Sequence, residues 1–301
     1  MIFRIFSPLF HPIKPVSVPF RSLAVKREDF FEKSDEIVKV QTSQDVTGLF
    51  VLSLNHGKKR NALSEAMISL MEQSLSSLKS DRSVRCLILR SQVDGVFCAG
   101  ADLKERFEMD NHDVGPFVER LRNLANNLSE LPFPTIAAID GAAFGGGLEF
   151  ALACDLRVAS LRAKLGLVET KLGILPGAGG TQRLPRLIGL SKAKDLIFTG
   201  RKVSAEEAHS IGLVDYLTSD EDKEDKEAAF NRSVGLAKDI CSSGPLGVRW
   251  AKFALTKGIT VDIHSGMAFE KAAYDQIIWT KDRVEGMKSF LEKRSPNYKG
   301  E

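Results

Sequence analysis

Cysteine and histidine are too sparse in this sequence, and too scattered, for a metal site or a disulfide framework. Four cysteines are spread over 301 residues without the short spacings of zinc ligands, and the five histidines form no cluster with them. Small secreted folds and structural zinc sites bring such residues together at characteristic spacings. We therefore expect neither a bound metal nor a disulfide framework.

Long apolar runs and nucleotide-phosphate motifs are also missing. No segment approaches the roughly 18 uninterrupted apolar residues that a membrane-spanning helix needs. The glycine-rich segments lack the lysine of GxxxxGK[ST], and none gives GxGxxG between a strand and a helix. A membrane partner and a nucleotide-phosphate loop are both disfavoured, although an apolar share of 43% supports a continuous core.

Acidic side chains are absent from residues 1–27, which carry five basic ones. The rest of the chain has 37 basic and 39 acidic residues, so its composition gives no argument for a nucleic-acid partner. A basic, acid-free N-terminus with apolar patches is typical of a transit peptide, and we expect import into the mitochondrial matrix. Prolines at positions 8, 12, 15 and 19 interrupt any secretory apolar core. A flexible N-terminal arm and a plastid address remain alternatives.

From about Ile37 onward, short apolar runs alternate with amphipathic segments. Residues 50–55, 85–90, 135–140 and 155–159 are predicted to be buried strands. Helical spacing of apolar residues predicts one helix capped by Ser64 and another over residues 114–131, ended by two prolines. This order predicts an α/β core over residues 37–200. Mainly helical patterns follow, at 205–210, 222–241, 245–257, 261–276 and 281–293, and predict a helical C-terminal region over 201–301.

Three glycine-bearing segments carry the candidate chemistry. The first, GVFCAGADL at 95–103, follows a predicted strand, and a free N–H at Ala101 would be available to an anionic oxygen. By itself the segment also fits an ordinary strand-to-helix turn. It becomes informative only together with the other two.

The second segment, at 141–155, runs from a strand through three consecutive glycines into a helix that is apolar on every side. Such a helix is expected to be buried, with the N–H of Gly146 pointing outward at its positive end. Glu149 is the single carboxylate in this helix. Because an unpartnered buried carboxylate costs several kcal/mol or is forced to a higher pKa, Glu149 is either paired structurally or used in proton chemistry.

The third segment, GLVETKLGILPGAGGTQR at 166–183, places Glu169 in a loop before a glycine-rich turn. In isolation this residue fits a surface glutamate. The order and spacing of the three segments, however, make the chain resemble the crotonase (enoyl-CoA hydratase/isomerase) superfamily from roughly Val40 to the C-terminus. The resemblance implies a spiral of ββα units followed by a helical C-terminal trimerisation region, assembled as a homotrimer or hexamer.

The resemblance also implies roles for individual residues. It places the two oxyanion-hole amides on Ala101 and Gly146, and the two catalytic glutamates on Glu149 and Glu169. An enoyl-CoA hydratase with these groups adds water across the 2,3 double bond of a 2-enoyl-CoA thioester, with coenzyme A as part of the substrate and no separate cofactor. Contacts to coenzyme A are expected at several further positions. Two of them, near the C-terminus of this chain, would reach the coenzyme A bound to a neighbouring subunit. The positions expected to contact coenzyme A are Ala62, Ala99, Asp102, Leu103, Lys104, Phe290 and Lys293.

The acyl specificity and a second functional class stay open at this level. The finer similarity of the motifs is to methylglutaconyl-CoA hydratases and related hydratase-domain proteins, whose dicarboxylic substrate would need a cation near the acyl end. Arg106, Arg120 and Arg122 are candidates that sequence alone does not place. Enoyl-CoA isomerase activity is disfavoured because both glutamates are present. The resemblance to methylglutaconyl-CoA hydratases also implies that the chain could bind AU-rich RNA. This function is disfavoured because the polar face of the helix after Ser64 is neutral or acidic and cannot neutralise phosphates.

Overall fold

A computed structural model describes residues 36–301 of the chain. The expected transit segment, residues 1–27, lies outside the described residues. The strands are β1 (Val38–Thr42), β2 (Leu49–Leu54), β3 (Cys86–Ser91), β4 (Val96–Cys98), β5 (Thr135–Ile139), β6 (Ala142–Phe144), β7 (Leu156–Ala159), β8 (Lys164–Gly166), β9 (Val203–Ser204) and β10 (Tyr216–Leu217).

The helices alternate with these strands and then dominate the C-terminal third. They are α1 (Glu65–Ser80), α2 (Leu103–Glu108), α3 (Asn111–Ser129), α4 (Gly146–Ala153), α5 (Gly180–Ile188), α6 (Leu190–Thr199), α7 (Ala205–Ser210), α8 (Ala228–Ser242), α9 (Pro245–Gly258), α10 (Ile263–Asp275) and α11 (Lys281–Leu291). Short 3₁₀ turns cover Gly57–Lys59, Glu169–Leu172 and Asp220–Asp222. None of the helices in residues 36–301 combines the length and apolarity required to cross a membrane.

The strands form two sheets that the chain visits in turn. The larger sheet has the order β1-β2-β3-β5-β7-β10 and is parallel except for the antiparallel β1–β2 pair. The smaller sheet has the order β4-β6-β8-β9, in which only β8–β9 is antiparallel. The chain therefore lays one strand in the large sheet, the next in the small sheet, and then forms a helix. This repeat, seen in β3-β4-α2, β5-β6-α4 and β7-β8-α5, confirms the expected spiral of ββα units.

Local sequence explains where the first helix begins and which side it buries. The Ser64 hydroxyl accepts a hydrogen bond from the Met67 amide at 3.3 Å and so caps α1, as its position in the sequence predicts. Met67, Met71 and Leu75 follow at helical spacing and are buried against the core. Burying such an apolar stripe supplies most of the stability of a helix of this length.

One predicted helix boundary is wrong. The pattern at residues 222–241 predicts a continuous helix, but α8 begins only at Ala228 after a 3₁₀ turn. The Asp140 carboxylate accepts hydrogen bonds from the amides of Ala229 at 2.7 Å and Phe230 at 3.1 Å. This long-range cap fixes the helix start, because it satisfies amide groups that have no partner inside the helix.

Helices α9 to α11 differ from the rest of the molecule in burying few side chains. From Pro245 to Glu301 only Pro245, Ala273, Asp282 and Ser289 are buried in the single chain. Large apolar side chains face outward instead, among them Ile259, Trp279 and Phe290, which are 86%, 91% and 82% exposed. The helical C-terminal region is therefore present, with an apolar surface that the single chain leaves uncovered.

Candidate active site

Glu149 lies in the first turn of α4, and every residue of that helix is buried. Its side chain is only 3% exposed. One carboxylate oxygen, Oε1, accepts hydrogen bonds from the amides of Ala178 at 2.8 Å and Gly180 at 2.7 Å. Burial raises the pKa of Glu149, whereas these two amides favour the ionised form and act against the rise.

Glu169 begins the 3₁₀ turn after β8 and is also buried, at 8% exposed. The sequence places this residue in a loop, and the short turn corrects that assignment. Both of its carboxylate oxygens are buried without a hydrogen-bond partner among residues 36–301. Burial and, second, the negative charge of Glu149 raise the pKa of Glu169 to about 7.

The two glutamates therefore have different electrostatic surroundings within one site. Glu149 receives two amide hydrogen bonds that stabilise its carboxylate, and Glu169 receives none from the described residues. Because each negative charge disfavours the other, the two carboxyl groups titrate as a coupled pair. The two amide hydrogen bonds favour the ionised form of Glu149, and Glu169 receives no such bond from the described residues to oppose the rise of its pKa.

The amides of Ala101 and Gly146 lie side by side next to this pair. The Ala101 nitrogen is 3.8 Å from the point that a Cβ on Gly146 would occupy, and the Gly146 nitrogen is 3.4 Å from the equivalent point on Gly100. Neither N–H donates a backbone hydrogen bond within the described part of the chain. The Gly146 amide also stands at the N-terminal, positive end of α4.

Glycine at position 145 lets Glu169 approach these amides. Glu169 Oε1 lies 3.3 Å from the point that a Cβ on Gly145 would occupy, and Gly145 has a φ of 52°, which disfavours other residues. The structure thus brings together all four residues that the sequence resemblance assigns to the reaction. Two N–H donors and two carboxyl groups can stabilise an oxyanion and exchange protons in the same space.

The predicted coenzyme A positions on the first half of the chain are neighbours in space. Residues 60–63 run beside residues 99–101, with Ala99 N donating to Arg60 O at 3.1 Å and Leu63 N to Gly100 O at 2.8 Å. Ala62 is buried and Ala99 is exposed. This places the backbone around both alanines beside the oxyanion amide of Ala101, and their contact to coenzyme A stays a prediction.

Asp102, Leu103 and Lys104 continue from that edge. Asp102 caps α2 by accepting from the Lys104 and Glu105 amides, and its carboxylate pairs with Lys59 Nζ at 2.7 Å. These bonds, led by the one to Lys59, hold the pKa of Asp102 below its ordinary value. The side chains of Leu103 and Lys104 are exposed. The carboxylate of Asp102 is thus occupied in fixing the helix start, and its contact to the coenzyme A part of the substrate stays a prediction.

The predicted C-terminal contacts, Phe290 and Lys293, lie at the end of α11 and just beyond it, and both are exposed. Their proposed contact is to the active site of a neighbouring subunit, so the single chain leaves it a prediction. Lys293 has a left-handed backbone conformation, with φ of 54°.

Two residues that brace the site are not among the predicted site residues. Asn61 is completely buried; its Nδ2 donates to Phe97 O at 3.0 Å and to Ser91 Oγ at 2.7 Å, while its Oδ1 accepts from His56 N at 2.7 Å. It therefore ties the loop before α1 to the strand that leads to Ala101. The sequence signal for this turn is the asparagine itself, since asparagine tolerates the left-handed φ of 54° found at position 61.

Arg183 is the second residue that braces the site. Its Nη1 donates to Ala178 O at 2.9 Å and its Nη2 to Asn126 Oδ1 at 2.8 Å, so it braces the turn whose amides hold Glu149. Its positive charge also acts to lower the pKa of Glu149. No local pattern distinguished this arginine from its neighbours, because its partners come from α3 and from the preceding turn.

Comparisons with known proteins point to one family. The family model described as Enoyl-CoA hydratase/isomerase matches residues 44–301. Human "Enoyl-CoA hydratase domain-containing protein 2, mitochondrial" is 52% identical over 253 residues, which cover 84% of this chain and 86% of that protein. Human "Methylglutaconyl-CoA hydratase, mitochondrial" is 49% identical over 267 residues, which cover 89% of this chain and 78% of that protein.

A solved structure extends the similarity to three dimensions. The crystal structure of enoyl-CoA hydratase from Bacillus anthracis matches with a TM-score of 0.84 at 44% sequence identity, covering 88% of this chain and 100% of that one. The sequence resemblance to the crotonase superfamily is confirmed by the family model and by this fold. The chain belongs to the enoyl-CoA hydratase/isomerase family.

Proposed function

We propose that this enoyl-CoA hydratase carries out its reaction with Glu149, Glu169 and the amides of Ala101 and Gly146. The observation that carries the assignment is the contrast between the two buried carboxyl groups. Glu149 is hydrogen-bonded in a way that favours its ionised form, and Glu169, with a pKa of about 7, is positioned to hold a proton. A base and an acid in one site are what the addition of water requires.

The steps follow from these protonation states. Glu149 takes a proton from water as the water oxygen bonds to C3 of the enoyl group. The electron pair of the double bond moves toward the thioester oxygen, and the Ala101 and Gly146 amides stabilise the resulting enolate. Glu169 then gives its proton to C2, which yields the 3-hydroxyacyl thioester. Glu149 ends protonated and Glu169 ionised, and proton exchange with solvent restores the starting pair.

The expected contributions are large enough to make each group testable. A preorganised oxyanion donor is worth about 10²- to 10³-fold in rate. General acid–base help contributes about 10²- to 10⁴-fold. The substrate supplies coenzyme A itself, so the proposal needs no separate cofactor. No cluster of three or more His, Cys, Asp or Glu side chains in residues 36–301 is arranged to hold a metal ion.

Nucleic-acid binding is the alternative to an enzymatic function, and the surface of α1 argues against it. Glu65 and Glu72 lie on its outer side and form ion pairs with Arg120. A face that carries carboxylates already paired within the protein offers few cations to neutralise phosphates. Tight, salt-sensitive binding of AU-rich RNA in a filter-binding titration would contradict this assignment.

A panel of acyl-CoA substrates tests the proposed function directly. Loss of enoyl absorbance should be measured with straight-chain, branched and glutaconyl-type 2-enoyl-CoA thioesters side by side, and isomerase activity with a 3-enoyl-CoA. Hydration of at least one 2-enoyl-CoA, with slower or absent isomerisation, is the expected result. An enzyme that isomerises but does not hydrate would contradict the proposal.

We further propose a mitochondrial matrix location, supported by mitochondrial names among the relatives and by the acid-free N-terminus. A fusion of residues 1–35 to a fluorescent protein should accumulate in the matrix. Accumulation in plastids or in the cytosol would contradict the location without affecting the assignment of the reaction.

A further inference from the structure

Arg106, Arg120 and Arg122 are the candidate cations for the acyl end of the substrate. Of these three, Arg106 has no carboxylate partner among the described residues. Arg120 pairs with Glu65 and Glu72, and Arg122 with Glu119. The Arg106 guanidinium instead stacks on the Phe117 ring, 4.9 Å from its centre, and Nη1 lies 3.6 Å from the Met109 sulfur.

These contacts leave a partly buried cation without a counter-charge. Burial lowers the pKa of Arg106, and no acidic group of the described residues offsets that effect. The guanidinium nevertheless stays protonated at neutral pH. An aromatic face gives such a cation some stabilisation, but a carboxylate binds it more strongly through two parallel N–H···O bonds.

The position of Arg106 relates this cation to the reacting atoms. Its backbone N donates to Asp102 O at 2.9 Å. Asp102 directly follows Ala101, whose amide belongs to the oxyanion site, so Arg106 lies about one helical turn from that site. Its stacking partner, Phe117, lies on α3, and the next residue, Val118, contacts the turn at Gly177. The amide of Ala178 in that turn holds Glu149.

Helices α2 and α3 thus connect the oxyanion amide with the turn whose amides hold the base, Glu149. The Arg106 guanidinium lies where α2 contacts α3, beside the elements that hold the oxyanion amide and the base. We propose that Arg106 is a specificity-determining residue that binds a carboxylate at the far end of the acyl chain. The preferred substrates are then 2-enoyl-CoA thioesters of dicarboxylic acids, of the glutaconyl type. This inference rests on the proposed hydratase function and names its substrate class.

The experiment compares three substrates that differ at the acyl end. Glutaconyl-CoA carries the terminal carboxylate, its carboxamide analogue has the same size without the charge, and crotonyl-CoA lacks the group. The wild-type enzyme, Arg106→Leu and Arg106→Lys are assayed with each substrate for kcat/KM. Arg120→Leu is the matched control, since it removes an arginine that already has carboxylate partners.

The expected readout is a ratio, which general loss of activity does not change. Wild-type enzyme should prefer the carboxylate over the carboxamide, and Arg106→Leu should lower that preference by about 10- to 100-fold, chiefly through KM. Arg106→Lys should retain part of it, and Arg120→Leu should keep the wild-type ratio.

Other outcomes overturn the inference. Equal loss with all three substrates would mean that Arg106 only supports the fold, and an unchanged ratio would mean that it does not contact the acyl end. Both results leave the hydratase assignment intact, because crotonyl-CoA reports it independently. Failure of wild-type enzyme to hydrate any of the substrates would count against the proposed function instead.

Discussion

Glu149 and Glu169 have the same side chain, but their hydrogen bonds favour different protonation states. Two backbone amides hold Glu149 Oε1, whereas the oxygens of Glu169 are buried without partners in the described residues. The resemblance of the sequence to a known superfamily identifies both residues. It does not show which one holds the proton, because that depends on the turn at 178–180 folding back over α4.

The protonation of this pair predicts how the reaction depends on pH. The active form has one proton on the pair, and Glu169 loses that proton as pH rises through about 7. We expect kcat/KM for hydration to fall as pH rises through this range. Dehydration of the 3-hydroxyacyl product should fall over the same range, because both directions use the singly protonated pair. A pH–rate profile of the wild-type enzyme measures this, and kcat/KM that keeps rising to pH 9 would contradict the account.

Arg183 offers a second residue-scale prediction. It donates to Ala178 O and places a positive charge near Glu149, which acts to lower the Glu149 pKa. Arg183→Leu should therefore raise that pKa, so that the acidic limb of the kcat/KM profile moves to higher pH. Arg183→Lys, which keeps the charge, should move the limb less. If Arg183→Leu reduces the rate equally at every pH, its role is structural and the electrostatic interpretation fails.

At the scale of elements, α4 must approach β4 closely enough to bring Gly146 beside Ala101. A Cβ on Gly147 would lie 2.4 Å from Cys98 O and 2.7 Å from Cys98 Cβ, distances that no real contact tolerates. Glycine is therefore required where the helix crosses the strand. The three-glycine motif predicts such a close approach, but only the structure identifies Cys98 as the neighbour.

Gly147→Ala tests this approach. The added methyl group should push α4 away from β4, lower the free energy of unfolding by about 1–3 kcal/mol, and separate the oxyanion amides. Gly247→Ala in α9 is the control, since a Cβ there meets nothing within 4 Å. Chemical denaturation and hydration assays measure both effects. Stability and activity of Gly147→Ala equal to those of the control would contradict the packing argument.

Much of the element order is predictable from periodicity, and the exceptions have physical causes. The four predicted strands and the helices that begin at Ala205, Pro245 and Lys281 agree with the structure to within a residue or two. The start of α8 does not, because a distant carboxylate, Asp140, sets it. Local patterns contain the apolar spacing of a helix but not the tertiary groups that cap it.

At the scale of the whole molecule, α9 to α11 expose apolar side chains that a monomer would leave in water. Ile259, Trp279 and Phe290 are more than four-fifths exposed. Exposed apolar patches of this kind mark interaction surfaces. The superfamily resemblance implies that copies of the same chain cover them, which would bring Phe290 and Lys293 toward a neighbour.

Light scattering coupled to size-exclusion chromatography measures this assembly. The expected mass corresponds to three or six chains. Ile259→Asp should weaken the assembly, because it places a charge in an interface that is expected to be apolar. A monomeric mass for the wild-type protein at micromolar concentration would contradict the expected trimer or hexamer, while leaving the chemistry of the single chain untouched.

The central claim is that Glu149 activates the water that attacks C3 while Glu169 protonates C2. Hydration of crotonyl-CoA by Glu149→Gln, Glu169→Gln and the double variant tests it most directly. Glutamine preserves the size of each side chain, and its carbonyl oxygen can still accept the two amide hydrogen bonds at position 149. The variants should therefore keep the wild-type circular dichroism and assembly.

Each single substitution should lower kcat by about 10²- to 10⁴-fold. The double substitution should cost much less than the product of the two losses, because groups that act as a unit are not additive. Near-normal turnover in either folded single variant would contradict the account.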